Sequence, residues 1–262
     1  MHFKLSSMAE RMVRSPVIVQ LQLLGVPRFA NGTSLPSRMG HKQLLLLTRL
    51  LLERRAHTRE SMIAFLWPEA NEERARGSLR QALYVIRELI GEDAVVANRQ
   101  TISLSIEPTT DLARFMQAVH AARWHEAALL YRGRLLDGVQ LKDATDADLW
   151  LELERRRMAR LFETAAFAVL RESRTAHAPH ERLVIARTLR DAAPRSVRHW
   201  RHLLNELAHA GATDECRIEC AALGARIDTG QIDDAAAASE LLKSGARLDA
   251  DVYAPVADLE VA

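Results

Sequence analysis

The sequence has few cysteines, no long apolar run and no nucleotide-binding loop, and each scarcity excludes a class of protein. Its 262 residues include two cysteines, Cys216 and Cys220, which lie four apart in a helical stretch where their side chains are poorly placed to bridge. A disulfide framework is therefore excluded, and a reducing cytoplasm is the predicted compartment. No apolar run approaches the roughly 20 residues of a membrane-spanning helix, and the first residues carry no secretory signal.

Motifs for catalysis, metal binding and nucleotide binding are also missing. No Gly-x-x-x-x-Gly-Lys-[Ser/Thr] loop is present, so no ATPase module is expected. His199, His202 and His209 share one helical segment, but they form no compact four-ligand spacing for a metal. Asp146 and Asp148 suit the start of a helix, where acidic side chains are favoured without any catalytic role. The sequence therefore predicts a non-enzymatic protein without metal or cofactor.

Charge is divided unevenly along the chain. Residues 1–106 contain 15 Lys and Arg against 9 Asp and Glu, a net charge of +6. The remainder holds 21 against 25, a net charge of −4, within an overall charge of +2. A basic N-terminal part and an acidic C-terminal part indicate two modules, and a polyanion is a candidate partner of the first module.

The first stretch of regular structure is predicted to be a small antiparallel sheet. Residues 1–16 are polar and mixed and are expected to form a tail. From Val17 the apolar side chains alternate as far as Leu23, which is the period of a strand. Asn31 and Gly32, flanked by short apolar segments, give a strong hairpin signal.

Three helices and a second hairpin follow this sheet. Helical periodicity starts after Gly40, resumes near Thr58 and ends at Trp67 before a proline. A third helix opens after the N-cap Asn71 and ends at Gly91, with a predicted buried stripe. That stripe consists of Ala75, Leu79, Ala82, Leu83, Ile86 and Ile90. Two strands, 94–96 and 101–106, are joined through residues 98–100, so residues 17–106 describe a winged helix.

The second half of the chain is predicted to be entirely helical. Its helices are expected at 111–122, 124–132, 146–173, 180–192, 196–210 and 213–227. Glu181, Ala186 and Leu189 recur as Glu215, Cys220 and Leu223, an offset of 34 residues that is the tetratricopeptide period. Residues 111–228 are therefore assigned to a tetratricopeptide-like domain, and 229–262 to a tail or linker. The predicted fold class is mainly α with a small antiparallel β component.

The third helix carries the candidate nucleic-acid contacts. Arg76, Arg80 and Arg87 lie on one flank, and Gln81 and Tyr84 lie further round. Arginine forks pair with phosphates and guanine edges, and glutamine can reach adenine. The alternative is an ordinary solvated helix surface that neighbouring glutamates partly neutralise.

Two further basic side chains could touch the phosphate backbone. Arg99 lies at the tip of the second hairpin, and Lys42 lies near the start of the first helix, beside free backbone N–H groups. Both could equally be solvated surface residues. A basic run, Arg155 to Arg157, is predicted to be a solvated helix face, with a docking surface for an acidic partner as the alternative.

Several motifs in this order resemble a known family. In the first half they are Leu66-Trp67-Pro68-Glu69-Ala70, Ala75-Arg76-Gly77-Ser78-Leu79-Arg80-Gln81-Ala82-Leu83 and Ile86-Arg87. In the second half they are Glu126-Ala127-Ala128-Leu129, Tyr131-Arg132-Gly133 with Leu135-Leu136, and Trp150-Leu151. Over residues 17–228 the chain resembles the SARP family of bacterial activators, with its DNA-binding half followed by the bacterial transcriptional activator domain (BTAD).

The resemblance implies a function and assigns roles to particular residues of this sequence. Family members bind repeated promoter sites and help to recruit RNA polymerase. By position, Arg76, Ser78, Arg80 and Arg87 fall in the recognition helix and Arg99 falls in the wing. Gly77 departs from the family, which usually has a polar residue there, and glycine within a helix costs about 1 kcal/mol relative to alanine.

Two interpretations follow from the sequence. The first is a cytoplasmic transcriptional activator that binds double-stranded DNA and contacts RNA polymerase or a second protomer in a homodimer on DNA. The second is a tetratricopeptide-like protein–protein adaptor whose winged helix binds DNA weakly or not at all. The salt and sequence dependence of DNA binding discriminates between them.

Overall fold

The computed structural model describes residues 21–105, 109–173 and 175–252, with side chains through residue 244. The predicted tail at 1–16, the start of the first predicted strand and the end of the last predicted strand lie outside these residues. The fold is mainly helical, with two small antiparallel sheets in the first half of the chain. The predicted fold class is thereby confirmed.

The first sheet is a short hairpin followed by the predicted Asn-Gly reversal. Strand β1 (Leu21–Gln22) pairs with β2 (Arg28–Phe29), with Leu21 opposite Phe29. At the reversal the Phe29 N–H donates to the Thr33 carbonyl at 2.9 Å. Gly32 has a φ of 86°, a left-handed conformation that glycine adopts without strain.

Three helices then form at nearly the predicted bounds, and their first residues explain where two of them start. They are α1 (His41–Glu53), α2 (Arg59–Leu66) and α3 (Glu72–Ile90). The Thr58 side chain accepts the Ser61 N–H, and the Asn71 side chain accepts the Arg74 N–H at 2.9 Å. Each cap satisfies a backbone donor that the first turn leaves without a helical partner.

A three-stranded wing is completed after α3. Strands β3 (His57–Thr58), β4 (Val95–Ala97) and β5 (Thr101–Leu104) lie in the order β3-β5-β4, and all pairs are antiparallel. The β4–β5 hairpin confirms the sequence prediction. Strand β3 has no counterpart in the prediction, because two residues are too few to show alternation and its partner β5 is distant along the chain.

The apolar core of this region lies between α1 and α3. Four consecutive leucines of α1, residues 44–47, are buried, and α2 adds Met62 and Leu66. From α3 the core receives Ala75, Leu79, Ala82, Leu83, Val85 and Ile86. Ile90, predicted as part of this stripe, is only half-buried, and Val85 is buried instead. The helix therefore presents a slightly rotated apolar face to the core.

Helices α4 to α10 are described in the rest of the chain. They are α4 (Asp111–His120), α5 (Trp124–Leu130), α6 (Thr145–Arg171), α7 (Pro179–Ala192), α8 (Val197–His209), α9 (Thr213–Asp228) and α10 (Ala235–Val252). The six predicted helices are confirmed to within a few residues. In the part of the chain that the structure describes, no helix is long and apolar enough to cross a membrane.

The assignment of 229–262 to a tail or linker is wrong for its described part, residues 229–252. Helix α10 packs on α8 and α9, and Ile232 and Ala238 are buried. Of the four alanines at 235–238 only Ala238 is buried, so this part of the chain shows no stripe of large apolar residues that the sequence would reveal.

Contacts divide the chain into two compact units. One comprises the described residues through Gln117 together with Arg134–Met158, and the other comprises Ala118–Gly133 together with the described residues from Ala159 onward. The first unit therefore extends beyond the predicted winged helix. The Asp111 carboxylate accepts the Leu23 and Leu24 N–H groups at 2.7 and 3.1 Å, and the Leu136 N–H donates to the Leu23 carbonyl at 2.8 Å. A functional division at residues 106–111 remains a prediction.

A buried arginine organises the extension of the first unit. The prediction of a solvated Arg155 is wrong, because its side chain is buried and donates to the carbonyls of Leu135, Leu136 and Val139 at 2.9, 2.7 and 2.9 Å. One guanidinium thus satisfies three acceptors of a non-helical segment, which a flexible ammonium could not do with the same geometry. The sequence does not reveal this role, because the acceptors are backbone carbonyls, which every residue type has.

Replacing Arg155 with methionine should lower the free energy of unfolding by about 2–4 kcal/mol, since buried carbonyl acceptors lose their donor. Arg156→Met is the matched control, because that neighbouring side chain is 68% exposed and its loss should cost under ~0.5 kcal/mol. Chemical denaturation of both variants measures the difference. Equal losses would contradict the structural role of Arg155.

Histidine burial gives the first unit a pH-dependent stability. The His57 side chain is buried, and burial lowers its pKa from the ordinary value of 6.5. His57 therefore protonates less readily in the folded protein than in the unfolded chain. Stability from this residue is full above the unfolded pKa of about 6.5 and falls as the pH decreases toward the folded pKa.

The urea concentration at the midpoint of unfolding should accordingly decrease as the pH is lowered from about 7.5 to about 5.5. Burial also lowers the pKa of His202 in the second unit, so the parent protein carries two such contributions. His57→Leu should show a smaller decrease than the parent over the same range. The same pH response in both proteins would show that His57 does not contribute.

Candidate nucleic-acid interface

The core-facing stripe of α3 determines which of its side chains face outward. Ala75, Leu79 and Ile86 are buried, so the opposite side of the helix is exposed. That side carries Arg76, Arg80, Gln81 and Tyr84. Helices α2 and α3, joined through 67–71, form a helix-turn-helix that the wing follows, which is the position of a recognition helix in this class of fold.

Arg76 and Arg80 are two basic side chains of this exposed face, and Arg74 is exposed on the turn before them. Arg76 forms a salt bridge with Glu72 one turn earlier on α3, and an exposed pair of this kind contributes little to stability. Arg80 has no ion pair among the described residues. Both guanidinium groups can therefore turn toward an anionic ligand at little cost to the fold.

An open cavity of 570 Å³ adjoins the same helix. Gly77, Ser78 and Gln81 line it from α3, and residues from α1 and the 140–143 segment line the other side. A Cβ at Gly77 would meet the Arg80 Nη2 atom at 3.9 Å, an ordinary contact. The fold does not require a glycine there, so its effect is to leave the backbone of α3 accessible.

Lys42 is engaged within the protein. Its ammonium lies 2.6 Å from the Asp143 carboxylate and 5.6 Å from the centre of the Trp67 ring, and its side chain is 19% exposed. The hydrogen bond from Lys42 holds the pKa of Asp143 below its ordinary value. Lys42, which the sequence predicts to contact phosphate, is thus already paired with a carboxylate. The sequence analysis could not predict this pair, because Asp143 lies 101 positions away in the sequence.

Arg87 also serves the fold. It is half-buried, and its Nε and Nη2 atoms donate to the Val95 carbonyl at 3.2 and 2.9 Å. This pair of hydrogen bonds holds the end of α3 against β4. The sequence analysis groups Arg87 with the exposed arginines, because helical spacing shows on which face of α3 a side chain lies. It does not show that strand β4 packs beside that face.

Tyr84 belongs to a small surface network. Its hydroxyl donates to the Glu88 carboxylate at 3.0 Å, and that hydrogen bond raises the pKa of the tyrosine. Glu88 also pairs with Arg38 at 3.0 Å. Arg38 is not among the predicted residues, because it is far from Glu88 in the sequence. The tyrosine ring remains largely exposed.

Arg99 lies exposed at the turn of the wing. The Asn98 side chain shapes this turn by accepting the N–H groups of Gln100 and Thr101 at 2.8 and 2.7 Å. Arg59, at the start of α2, donates to the Asn98 carbonyl at 3.2 Å. Arg59 therefore fixes the wing to the helix-turn-helix, a role that the sequence analysis missed.

The structure thus sorts the eight predicted residues into two groups. The accessible group is Arg76, Ser78, Arg80, Gln81, Tyr84 and Arg99. Lys42 and Arg87 are held by partners within the protein. Among the residues described, no group of three or more His, Cys, Asp or Glu side chains is placed to hold a metal ion, and the two cysteines are not bonded to each other.

Comparison with solved structures finds a similar fold, whereas comparison of the sequence finds no family. No protein-family model and no curated protein matches the chain. Among solved structures, the chain is similar to Mycobacterium tuberculosis EmbR, determined in complex with a low affinity phosphopeptide. The TM-score is 0.49 and the identity is 21%, over 87% of this chain and 65% of that one.

EmbR has the winged-helix and BTAD architecture of the SARP family. The chain is similar to it in fold. This chain spans less than two thirds of the length of that EmbR chain.

The two groups of arginines should respond differently to truncation. Arg87→Ala should lower the free energy of unfolding by about 1–2 kcal/mol, since the Val95 carbonyl loses its donors. Arg80→Ala should change it by less than ~0.5 kcal/mol, because that side chain is exposed and unpaired among the described residues. Urea denaturation of the two variants checks the assignment, and the reverse order of losses would refute it.

Proposed function

We propose that the protein is a sequence-specific regulator of transcription that binds double-stranded DNA. The observation that carries this proposal is the exposed face of α3, where Arg76, Arg80 and Gln81 stand together in the recognition position of a helix-turn-helix. A B-DNA major groove about 12 Å wide admits a helix of this kind. The wing would then lie against the adjacent minor groove or backbone.

Each accessible side chain has a distinct role in this proposal. Arg76 and Arg99 are assigned to phosphates, because Arg76 lies near the start of α3 and Arg99 lies at the turn of the wing. Arg80 and Gln81 are assigned to base edges, since they lie near the middle of the helix. Ser78 and Tyr84 add hydrogen-bonding groups that suit either phosphate or base contacts.

The same proposal gives the second half of the chain a role in activation. Following the motif resemblance, its helices contact RNA polymerase, a second protomer or both. Two copies on one promoter would read half-sites separated by whole helical turns, about 10–10.5 base pairs each. The protein would act in the cytoplasm, without a cofactor and without catalysing a reaction.

Selection from random duplex DNA, followed by fluorescence anisotropy on the selected duplex over a salt series, tests the proposal. A protein that neutralises about six phosphates should give a log–log salt slope near −5, at about −0.9 per phosphate. The selected site should be preferred over unrelated DNA by ~10³ or more. No enriched sequence, together with weak binding at low salt, would overturn the proposal.

Arg80→Ala should weaken binding to the selected site by about 1–3 kcal/mol if the side chain reads a base, and should relax the preference at one position. Uniform weakening on all sequences would instead assign it to phosphate. Arg217→Ala, an exposed arginine on α9, is the control and should leave the affinity unchanged. Unchanged binding by Arg80→Ala would remove α3 from the interface.

A second candidate function is a protein–protein adaptor of the tetratricopeptide type. The pairing of Lys42 with Asp143 favours it, because it removes one of the few lysines from the surface available to DNA. An adaptor would show neither a steep salt slope nor a preferred sequence in the same measurement.

A further inference from the structure

The first half of α6 exposes two leucines on one face. Leu149 is 59% exposed and Leu153 is 54% exposed, although each lies in a helix whose other side is buried. Ala147 and Leu151 occupy that buried side. Trp150 packs edge-to-face on Phe65, with ring centroids 5.9 Å apart. The orientation of this half-helix is therefore fixed by packing, and its leucine face is a defined surface.

Charged residues extend the leucine face at both ends. Asp146 precedes Leu149 by three positions, and Arg156 follows Leu153 by three. The spacing 146-149-153-156 is the three-four alternation that places side chains along one seam between two helices. We call these four residues the α6 seam.

Both charges of the seam are available to an outside partner. Asp146 is exposed and forms no ion pair among the described residues. Arg156 is 68% exposed, and its Nε atom lies 3.8 Å from the Glu152 carboxylate, at the long end of an ion pair. An exposed contact of this length contributes little, so Arg156 can exchange it for a better one.

The seam is complementary to itself in the antiparallel direction. When a second α6 lies antiparallel with the midpoints of the two seams aligned, Leu149 meets Leu153 of the second copy and Asp146 meets its Arg156. Each pair occurs twice, as a two-fold interface requires. A parallel pair would instead bring two aspartates together and two arginines together, which is unfavourable.

We propose that the α6 seam binds a second copy of this chain through an antiparallel, two-fold pairing of α6. The charge order selects the second copy over an unrelated acidic or basic partner, because such a partner would match only one end of the seam. With two leucines from each protomer the interface is small and the dimer is weak. This pairing specifies the second-protomer contact and rests on the proposed function to that extent, but it forms without DNA, so its failure in solution would leave the proposal of DNA binding untouched.

Sedimentation equilibrium of the full chain without DNA, from low micromolar to several hundred micromolar protein, measures the pairing. The parent protein should shift from monomer to dimer across this range. Asp146→Arg and Arg156→Asp should each raise the dimer dissociation constant by about tenfold or more, because each places like charges together at both ends of the interface. A parent that remains monomeric at every concentration would overturn the proposal and leave the seam to another partner.

Mixing the two variants supplies a sharper test. In the mixed dimer, the new positive charge at position 146 of one chain would face the new negative charge at position 156 of the other. The unaltered Arg156 and Asp146 would meet at the opposite end. An equimolar mixture should therefore recover parent-like dimerisation, and so should the double variant Asp146→Arg, Arg156→Asp. Failure of both to recover would overturn the antiparallel register.

The matched controls lie on α9. Asp214 is in the first turn of α9, as Asp146 is in the first turn of α6, and Asp214 and Arg217 are both exposed. Asp214→Arg and Arg217→Asp should leave the dissociation constant unchanged. If these reversals weaken the dimer as much as those on α6, net charge rather than the seam controls association, and the proposal is wrong. Circular dichroism checks that every variant is folded.

Discussion

The packing of α3 against α1 is the constraint on which the candidate interface depends. Four consecutive leucines of α1 are buried, and each buried leucine contributes about 1.5–3 kcal/mol relative to an exposed one. Against them α3 places small and medium side chains, Ala75, Leu79 and Ile86 among them. Because this face of α3 is buried in the core, the opposite face is exposed. Its arginines therefore face the solvent without any further contact that orients them. Arg87 then secures the helix to the wing through the Val95 carbonyl.

Buried polar groups hold the segments of the first compact unit together, in addition to buried apolar side chains such as Leu112, Leu135 and Leu136. Asp111 receives two backbone N–H groups of the first hairpin segment, and Arg155 donates to three carbonyls of the 135–139 segment. Such contacts specify one arrangement, because each leaves unsatisfied groups if it is broken. The first compact unit therefore includes part of what the motifs assign to the activator domain. Lys42 and Asp143 extend the same connection to the edge of the cavity beside α3.

Local signals in the sequence are sufficient to predict most of the fold and part of the site. The caps Thr58 and Asn71, the stop at Gly91 and the Asn-Gly reversal act within a few residues, and they predict the helix-turn-helix and the wing. The features that the sequence does not reveal depend on contacts between residues that are far apart along the chain. The pairing of Lys42 with Asp143, the burial of Arg155 and the short strand β3 all join segments that the chain order separates. The sequence analysis misses helix α10 for a different reason, since only Ala238 of its four consecutive alanines is buried and no apolar stripe marks the packed face.

Guanine methylation interference on the selected duplex tests the central claim, that α3 reads bases in the major groove, most directly. Methylation at guanine N7 places a methyl group on the major-groove edge that an arginine fork would contact. Our account predicts that methylation of particular guanines within the site abolishes binding. In the Arg80→Ala variant, binding should become insensitive to methylation at one of those guanines. Binding that tolerates methylation at every guanine would contradict the account, because it would show that no arginine of α3 contacts a guanine edge in the major groove.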